Sequence, residues 1–378
     1  MNRTALAIAA TLLAAPAPAL ACGGFFCNAV TDPVVQTAER VLFRVNPDET
    51  ITSVIEIQFQ GEPTAFAWVL PLSDAIDPDS ITTAPAGLFD DLEDLTAPRF
   101  VTAASGMASA DAAGMSAGCA DPFAPFFFGN EWDGEVTEPE FSGVDVVGES
   151  VVGPYALEII TAEDSSNLLG WLNWNGYQIP GNAMEPIAHY VNSGMAFLGV
   201  KLQPDVPEGP IDALEITMPG TQPMLPLLLT SVAAVDDMDI TAYVLADERY
   251  AVANYTDHAF DWQRVEWAGE GRTDYELRLP SELDAVGGRA FITEFAGSTE
   301  GMTSSEAAEA LLGSGQYVTR FRSMLSASEM TLDPLWQAAP ELGDVDNVHA
   351  IGGSMSVAAM SPAWLAGVLL VGWWRRRS

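Results

Sequence analysis

Between residues 37 and 59 the sequence alternates with a period of two, and that pattern limits the fold more than any other feature. From Thr37 to Val45, Ala38, Arg40, Leu42 and Arg44 fall on one face and Glu39, Val41, Phe43 and Val45 on the other. After the turn Asn46-Pro47-Asp48-Glu49, residues Ile51, Ser53, Ile55, Ile57 and Phe59 oppose Thr52, Val54, Glu56 and Gln58. This is the period of a pleated strand, not of a helix. Gly61-Glu62-Pro63 turns into a third strand, Thr64–Leu70, so the stretch reads as an antiparallel meander.

β-branched and aromatic runs extend the pattern. Strands are expected at Val144–Val152, Tyr155–Thr161, Met195–Leu202, Ile211–Met218, Met224–Val232, Met238–Leu245, Val265–Trp267, Ala290–Phe295 and Tyr317–Arg322. Helical spacing of Leu88, Phe89, Leu92 and Leu95 predicts a helix within residues 80–100, its other face the solvated acids Asp90, Asp91, Glu93 and Asp94. Further helices are expected at Glu163–Trp174, stopped by Asn175-Gly176, at Ala183–Val191 and at Ser304–Leu312. The fold class is therefore α+β, β-dominant, with antiparallel meanders and a few short helices. Ile57–Leu72 and Ile216–Leu227 each run from a strand through a Gly/Pro turn into Leu-Pro-Leu, the pattern two related β lobes would leave.

The two ends of the chain read as addresses. Residues 1–21 form a secretory signal: Arg3, an apolar run from Ala5 to Ala15, and the small-x-small site Ala19-Leu20-Ala21. Residues 351–374 carry no charge and precede Arg375-Arg376-Arg377. As a helix this segment would be about 36 Å long, enough to span a bilayer, with Trp373 and Trp374 at the interface and the Arg residues in the cytoplasm. Between these ends lie residues 22–101, rich in β pattern, an Ala/Gly/Ser-rich insertion at 102–143, the rest of the domain at 144–335, an acidic spacer at 336–350 and a basic tail at 375–378.

Charge and motif searches narrow the function. With 52 acidic against 15 basic residues, the net charge of -37 repels phosphate backbones, so nucleic acid is not an expected partner. The three cysteines are Cys22, Cys27 and Cys119. Cys22 can pair with Cys27 across two glycines. If Cys22, first after the signal, is lipidated instead, Cys27 pairs with Cys119. No metal set is expected: the cysteines lack nearby His partners, and Asp344-Val345-Asp346-Asn347 lacks the Gly and closing Glu of a calcium loop. His189, His258 and His349 fall in no zinc-protease spacing, no nucleophile elbow or phosphate loop occurs, and no cofactor is expected. Glu185 and His189, four apart on a helix, are placed to interact as a surface pair.

Several stretches together carry a resemblance. They are Cys22-Gly23-Gly24-Phe25-Phe26-Cys27, Gln36-Thr37-Ala38-Glu39-Arg40, Phe66-Ala67-Trp68-Val69-Leu70-Pro71, Gly153-Pro154-Tyr155, Trp171-Leu172, Gly176-Tyr177, Tyr317-Val318-Thr319-Arg320 and Met330-Thr331-Leu332-Asp333-Pro334. The chain resembles the bacterial family called domain of unknown function 2330, from Cys22 to Pro334. The resemblance implies an exported protein, often with a C-terminal anchor, and transfers no catalytic residues. It also implies more cysteines in the insertion than Cys119 alone. The tail, with Gly352-Gly353-Ser354 ahead of the apolar run and the Arg cluster, is similar to a Gly-Gly type of bacterial sorting signal that a rhomboid-like protease processes. The resulting expectation is an exported protein of the periplasm or cell surface. It meets the export and tail-processing machinery, is held in the membrane by its C-terminal helix and has a binding or structural role. The alternative is a hydrolase or cation-dependent enzyme of the cell envelope.

Overall fold

The alternation at residues 37–59 builds the hairpin it predicts. Strand β1 (Val35–Val45) pairs antiparallel with β2 (Thr50–Gln60), Leu42 opposite Val54 and Glu39 opposite Ile57. The structure, a computed structural model, describes residues 35–60, 67–102, 141–175, 181–203, 212–269, 271–302, 305 and 316–352. In chain order the further elements begin with β3 (Ala67–Leu72), β4 (Thr82–Thr83), α1 (Leu88–Thr96), β5 (Arg99–Thr102), β6 (Val144–Val152) and β7 (Tyr155–Ala162). Next come α2 (Ser165–Trp174), α3 (Met184–Asn192), β8 (Ala196–Leu202), β9 (Leu214–Pro219), α4 (Leu227–Thr230) and β10 (Ala234–Ala246). They are followed by β11 (Tyr250–Val252), β12 (Thr256–Asp257), β13 (Trp267–Gly269), β14 (Arg272–Thr273) and α5 (Tyr275–Asp284). The last are β15 (Ala290–Ser298), β16 (Tyr317–Leu325), β17 (Trp336–Ala338) and β18 (Val348–Ile351).

Two sheets dominate this β-rich α+β fold. The larger has eight strands in the order β12-β15-β16-β10-β1-β2-β9-β4, and the smaller has four in the order β3-β8-β7-β6. Most pairings are antiparallel, but β1 lies parallel to β10 at the centre of the larger sheet. The sheets pack face to face: Val41, Phe43, Ile55, Ile57, Ile240 and Phe321 from the larger meet Trp68, Leu70, Leu157 and Leu198 from the smaller in one buried cluster. Each outer face is then covered by helices. Leu168, Leu172, Ile187 and Tyr190 of α2 and α3 pack on Val69, Ile160 and Phe197, while Leu88, Phe89 and Leu92 of α1 pack on Leu42, Val54 and Tyr243. Sheets buried on both faces explain runs such as Ala196–Val200, in which every residue is buried.

The face assignments along β1 and β2 hold: Glu39, Val41 and Phe43 look between the sheets, and Arg40 and Leu42 look outward. The meander does not continue past them. β2 pairs with β9, and β3 joins the second sheet beside β8. Period two fixes which face a residue takes but not which strand lies beside it. The two echoed stretches likewise fall in different settings. β2 and β9 are neighbours in one sheet, and the second Leu-Pro-Leu runs into α4 instead of a strand.

Four further differences have local causes. Met224–Val232, expected as a strand, is a single bridge at Met224 followed by the short helix α4, since an unbroken apolar run carries no period to tell the two apart. Val265 closes a 3-10 turn at Trp262–Arg264, and the strand begins only at Trp267. Helix α5 was hidden by Pro280 in its interior, which removes one helical donor. Residues 336–350 are not a spacer. β17 pairs with β11, β18 pairs parallel with β5, and Trp336 is wholly buried. The expected signal, the three cysteines, nearly all of the insertion, all of the expected 304–312 helix but Ser305, and the tail beyond Gly352 lie outside the described residues.

Candidate functional site

Two buried polar centres lie on opposite faces of the larger sheet. On the outer face, Arg320 of β16 is fully buried. Its Nε donates to Glu294 of β15, itself fully buried, and its Nη1 donates to Glu93 of α1 and to the Tyr243 hydroxyl, both at 2.7 Å. Alternation along β15 places Glu294 on the same face as Ile292, and the register slip between Thr293 and Phe295 sets both Glu294 and Phe295 against Arg320. The Tyr275 hydroxyl of α5 also donates to Glu294. Arg322 extends the network to Asp239 at 2.5 Å and Glu276 at 3.1 Å, and Arg40 pairs with Glu56 at 2.5 Å and Asp90 at 3.1 Å.

Electrostatics keep this centre ionic. Burial works against the charged form of Arg320, but Glu294, Tyr243 and Glu93 outweigh it and hold the guanidinium charged. Burial likewise opposes the Glu93 carboxylate, yet Arg320 keeps it below the usual range. Burial, and then Glu294, push the Tyr275 hydroxyl well up. Asp90 and Glu93, expected on a solvated helix face, thus tie α1 to the sheet. The arrangement clamps α1 and α5 against the strands.

The second centre lies between the sheets and has the features of a site. Glu39 is 2% exposed and sits in the core-facing row of β1, with Ile57 and Ile240 as its strand neighbours. Its carboxylate accepts from Gln36 Nε2 at 3.0 Å. It borders a cavity of about 10 Å³, room for a single water, whose other walls are Trp68, Val69, Leu70, Pro226, Leu229 and Thr230. Burial pushes the carboxyl up to about 7, and hydrogen bonds from Gln36 and Thr230 only partly oppose that.

Beside it, Asp333 holds α4 in place. Pro226 precedes this four-residue helix and supplies no side-chain cap. The missing acceptor comes from 105 residues away: Asp333 Oδ1 takes the Leu228 N–H at 2.8 Å. The Tyr190 hydroxyl of α3 donates to both Asp333 oxygens, at 3.0 and 2.9 Å. Burial lifts the Asp333 carboxyl despite these bonds, and burial followed by the Asp333 charge lifts Tyr190 strongly. Asp333→Ala strands two buried donors at once. We expect it to cost about 2–4 kcal/mol in urea unfolding, against about 1 kcal/mol for Tyr190→Phe, which removes one donor and strands none. Equal losses would show that Asp333 does not cap α4.

Among the described residues no histidine hydrogen-bonds to either centre, although the charge of His189 acts on Asp333. His189 is on α3 as expected, its ring edge-on to Tyr190, and among the described residues it forms no ion pair with Glu185. His258 lies 3.8 Å from Glu282. His349, on β18, stacks on Trp262 with centroids 3.8 Å apart, and burial pushes its imidazole down. Asp344, Asp346 and Asn347 are occupied structurally, the last donating to the Leu95 and Ala97 carbonyls. Among the described residues no group of three or more His, Cys, Asp and Glu side chains is placed to hold a metal ion. No helix among them is long and apolar enough to cross a membrane. Sequence reasoning did not single out Glu39, Tyr190 or Asp333 as a site. The available signal was Glu39 itself, an acid in a row with Val41 and Phe43.

Fold and centres together define a two-sheet α+β protein whose buried acids lock distant segments of chain. The chain belongs to DUF2330, described as "Uncharacterized protein conserved in bacteria": the family model matches residues 16–333 and so spans Glu39, Tyr190, Arg320 and Asp333. No curated protein matches the chain. It has a slight likeness to a solved structure, a mutated baculovirus P35 after caspase cleavage. Identity is 10%, coverage 62% of this chain and 85% of that one, and the TM-score 0.30, too low to say anything of this chain.

Proposed function

We propose that this is an exported protein of the bacterial cell envelope, anchored through its C-terminal apolar segment and serving a binding or structural role. The observation that carries the reading is how the body grips the base of that segment. β18 lies parallel to β5 from Val348 to Ile351, Asn347 bonds to the end of α1, and Ile351 is 2% exposed. A load on residues 353–378 would pass directly into the larger part of the fold instead of into a loose linker. The secretory pattern at residues 1–21, the uncharged run at 351–374 and the Arg cluster at 375–377 support the same reading.

Fractionation of cells expressing the full chain, beside a chain ending at Gly352 that keeps β18 intact, tests it. The full chain is expected with the membranes and the shortened one in the soluble export fraction. Equal partitioning of both would sink the anchor. Intact mass of the full-length product reports on the same sample whether cleavage follows Ala21, whether Cys22 is acylated and whether the tail is retained.

A further inference from the structure

We propose that the crevice beneath α4 is a proton-operated latch: with Glu39 protonated, α4 lies closed over β1 and β3, and ionisation of Glu39 releases α4 so that water can enter. This does not depend on how the chain is anchored.

The geometry supplies both halves of the device. The closed crevice suits a neutral acid. Glu39 has Ile57 and Ile240 on either side, and Trp68, Leu70 and Leu229 in front. Its hydrogen-bonding partners are Gln36 and Thr230, neither of them charged. The neighbouring cation on β1, Arg40, points through the sheet to Glu56 and Asp90. From α3 comes Tyr190, whose hydroxyl is engaged by Asp333, and His189, whose charge acts on Asp333. From the segment after β16 comes Asp333 itself. Cross-strand residues of β2 and β10, and the lining residues of β3 and α4, add no charge. Among the described residues a carboxylate here has no counter-ion, and a cavity of about 10 Å³ holds one water where an ion needs several. Ionisation therefore demands more space.

Only one wall can give it readily. β1 is bonded on both sides within the larger sheet, and β3 is bonded to β8. α4 is four residues long, has no cap of its own and is held at its start by a carboxylate from a remote segment. So short a helix has little stability apart from its packing. Burial holds the Glu39 carboxyl at about 7 in the closed state, above an ordinary glutamic acid. The sign follows: the closed state binds the proton more tightly than the open one. Closure is therefore strongest below about pH 4.5, weakens as pH rises and levels off once pH passes about 7.

Hydrogen exchange on the full chain in detergent, corrected for the intrinsic rate, reads the latch at the Leu229 and Thr230 amides. Protection there is expected to fall about ten-fold per pH unit between about pH 5 and pH 7, then level off, while β10 keeps its protection. In Glu39→Gln the α4 amides should show no such slope. A wild-type slope of zero, the same slope in Glu39→Gln, or an equal loss along β10 would overturn the proposal. Should Glu39→Gln fail to fold, the carboxyl carbon of Glu39 can be titrated by NMR in the wild type. A midpoint near 7 with α4 amide protection falling over the same range upholds the latch, and a midpoint near the ordinary 4.5, or one near 7 with α4 protection unchanged, overturns it.

Discussion

Arg320→Met should lower the unfolding free energy by about 3–5 kcal/mol, the cost of leaving a buried charge without its partner. Glu294 is fully buried, and after the change it would keep the Tyr275 hydroxyl and the more distant charge of Arg322 but lose its direct ion pair. Met fills most of the volume, so the loss reports charge more than cavity. The companion change is Glu294→Gln, which keeps an oxygen for Tyr275 and removes the charge. In the double variant, Glu294→Gln should recover about 2 kcal/mol or more of the loss, a coupling readable by urea unfolding of all four proteins. Strict additivity would mean that the pair does not hold the sheet. Because Arg320 also bonds Glu93 of α1, amide exchange in α1 should rise along with the global loss.

Trp336→Ala is expected to cost a similar amount, about 3–5 kcal/mol. The indole is completely buried and packs against Phe43, Phe291 and Phe321, with ring centroids 5.4, 5.5 and 5.9 Å away. Those three rings come from β1, β15 and β16, so Trp336 plugs the inter-sheet core across three strands of the larger sheet. Among the described residues its Nε1 has no hydrogen-bond partner. Trp336→Phe should therefore keep most of the stability, losing under about 1.5 kcal/mol. Denaturant unfolding of the two variants separates the cases. A mild effect of Trp336→Ala would restore residues 336–350 to the status of a linker.

Much of the fold was legible from residue order. The faces of β1 and β2 followed from alternation, and the family from short stretches that the structure disperses over both polar centres: Glu39 and Asp333 in one, Arg40 and Arg320 in the other. Helices α2 and α3 were visible because helix signals, such as the Asn175-Gly176 stop after α2, act locally. Asp164 shows the same locality at the start of α2, where it accepts from Asn167 N at 2.9 Å and Ser166 Oγ at 2.6 Å. α5 was not legible, because Pro280 contradicts the helix that tertiary packing of Tyr275, Leu279 and Leu283 imposes.

Local chemistry thus determined by itself the strand-rich class, the inward row containing Glu39 and the two terminal address patterns. Each depends on neighbours within a few residues. Tertiary structure alone decided that β1 lies parallel to β10, that β15 pairs with β16 so that Glu294 meets Arg320 and that Asp333 caps a helix 105 residues away. It also decided that the acidic stretch after Asp333 belongs to the core through Trp336. Pairing partners, bulges and remote caps arise when distant segments compete for the same unsatisfied donor, charge or apolar surface, and no local pattern records the outcome of that competition.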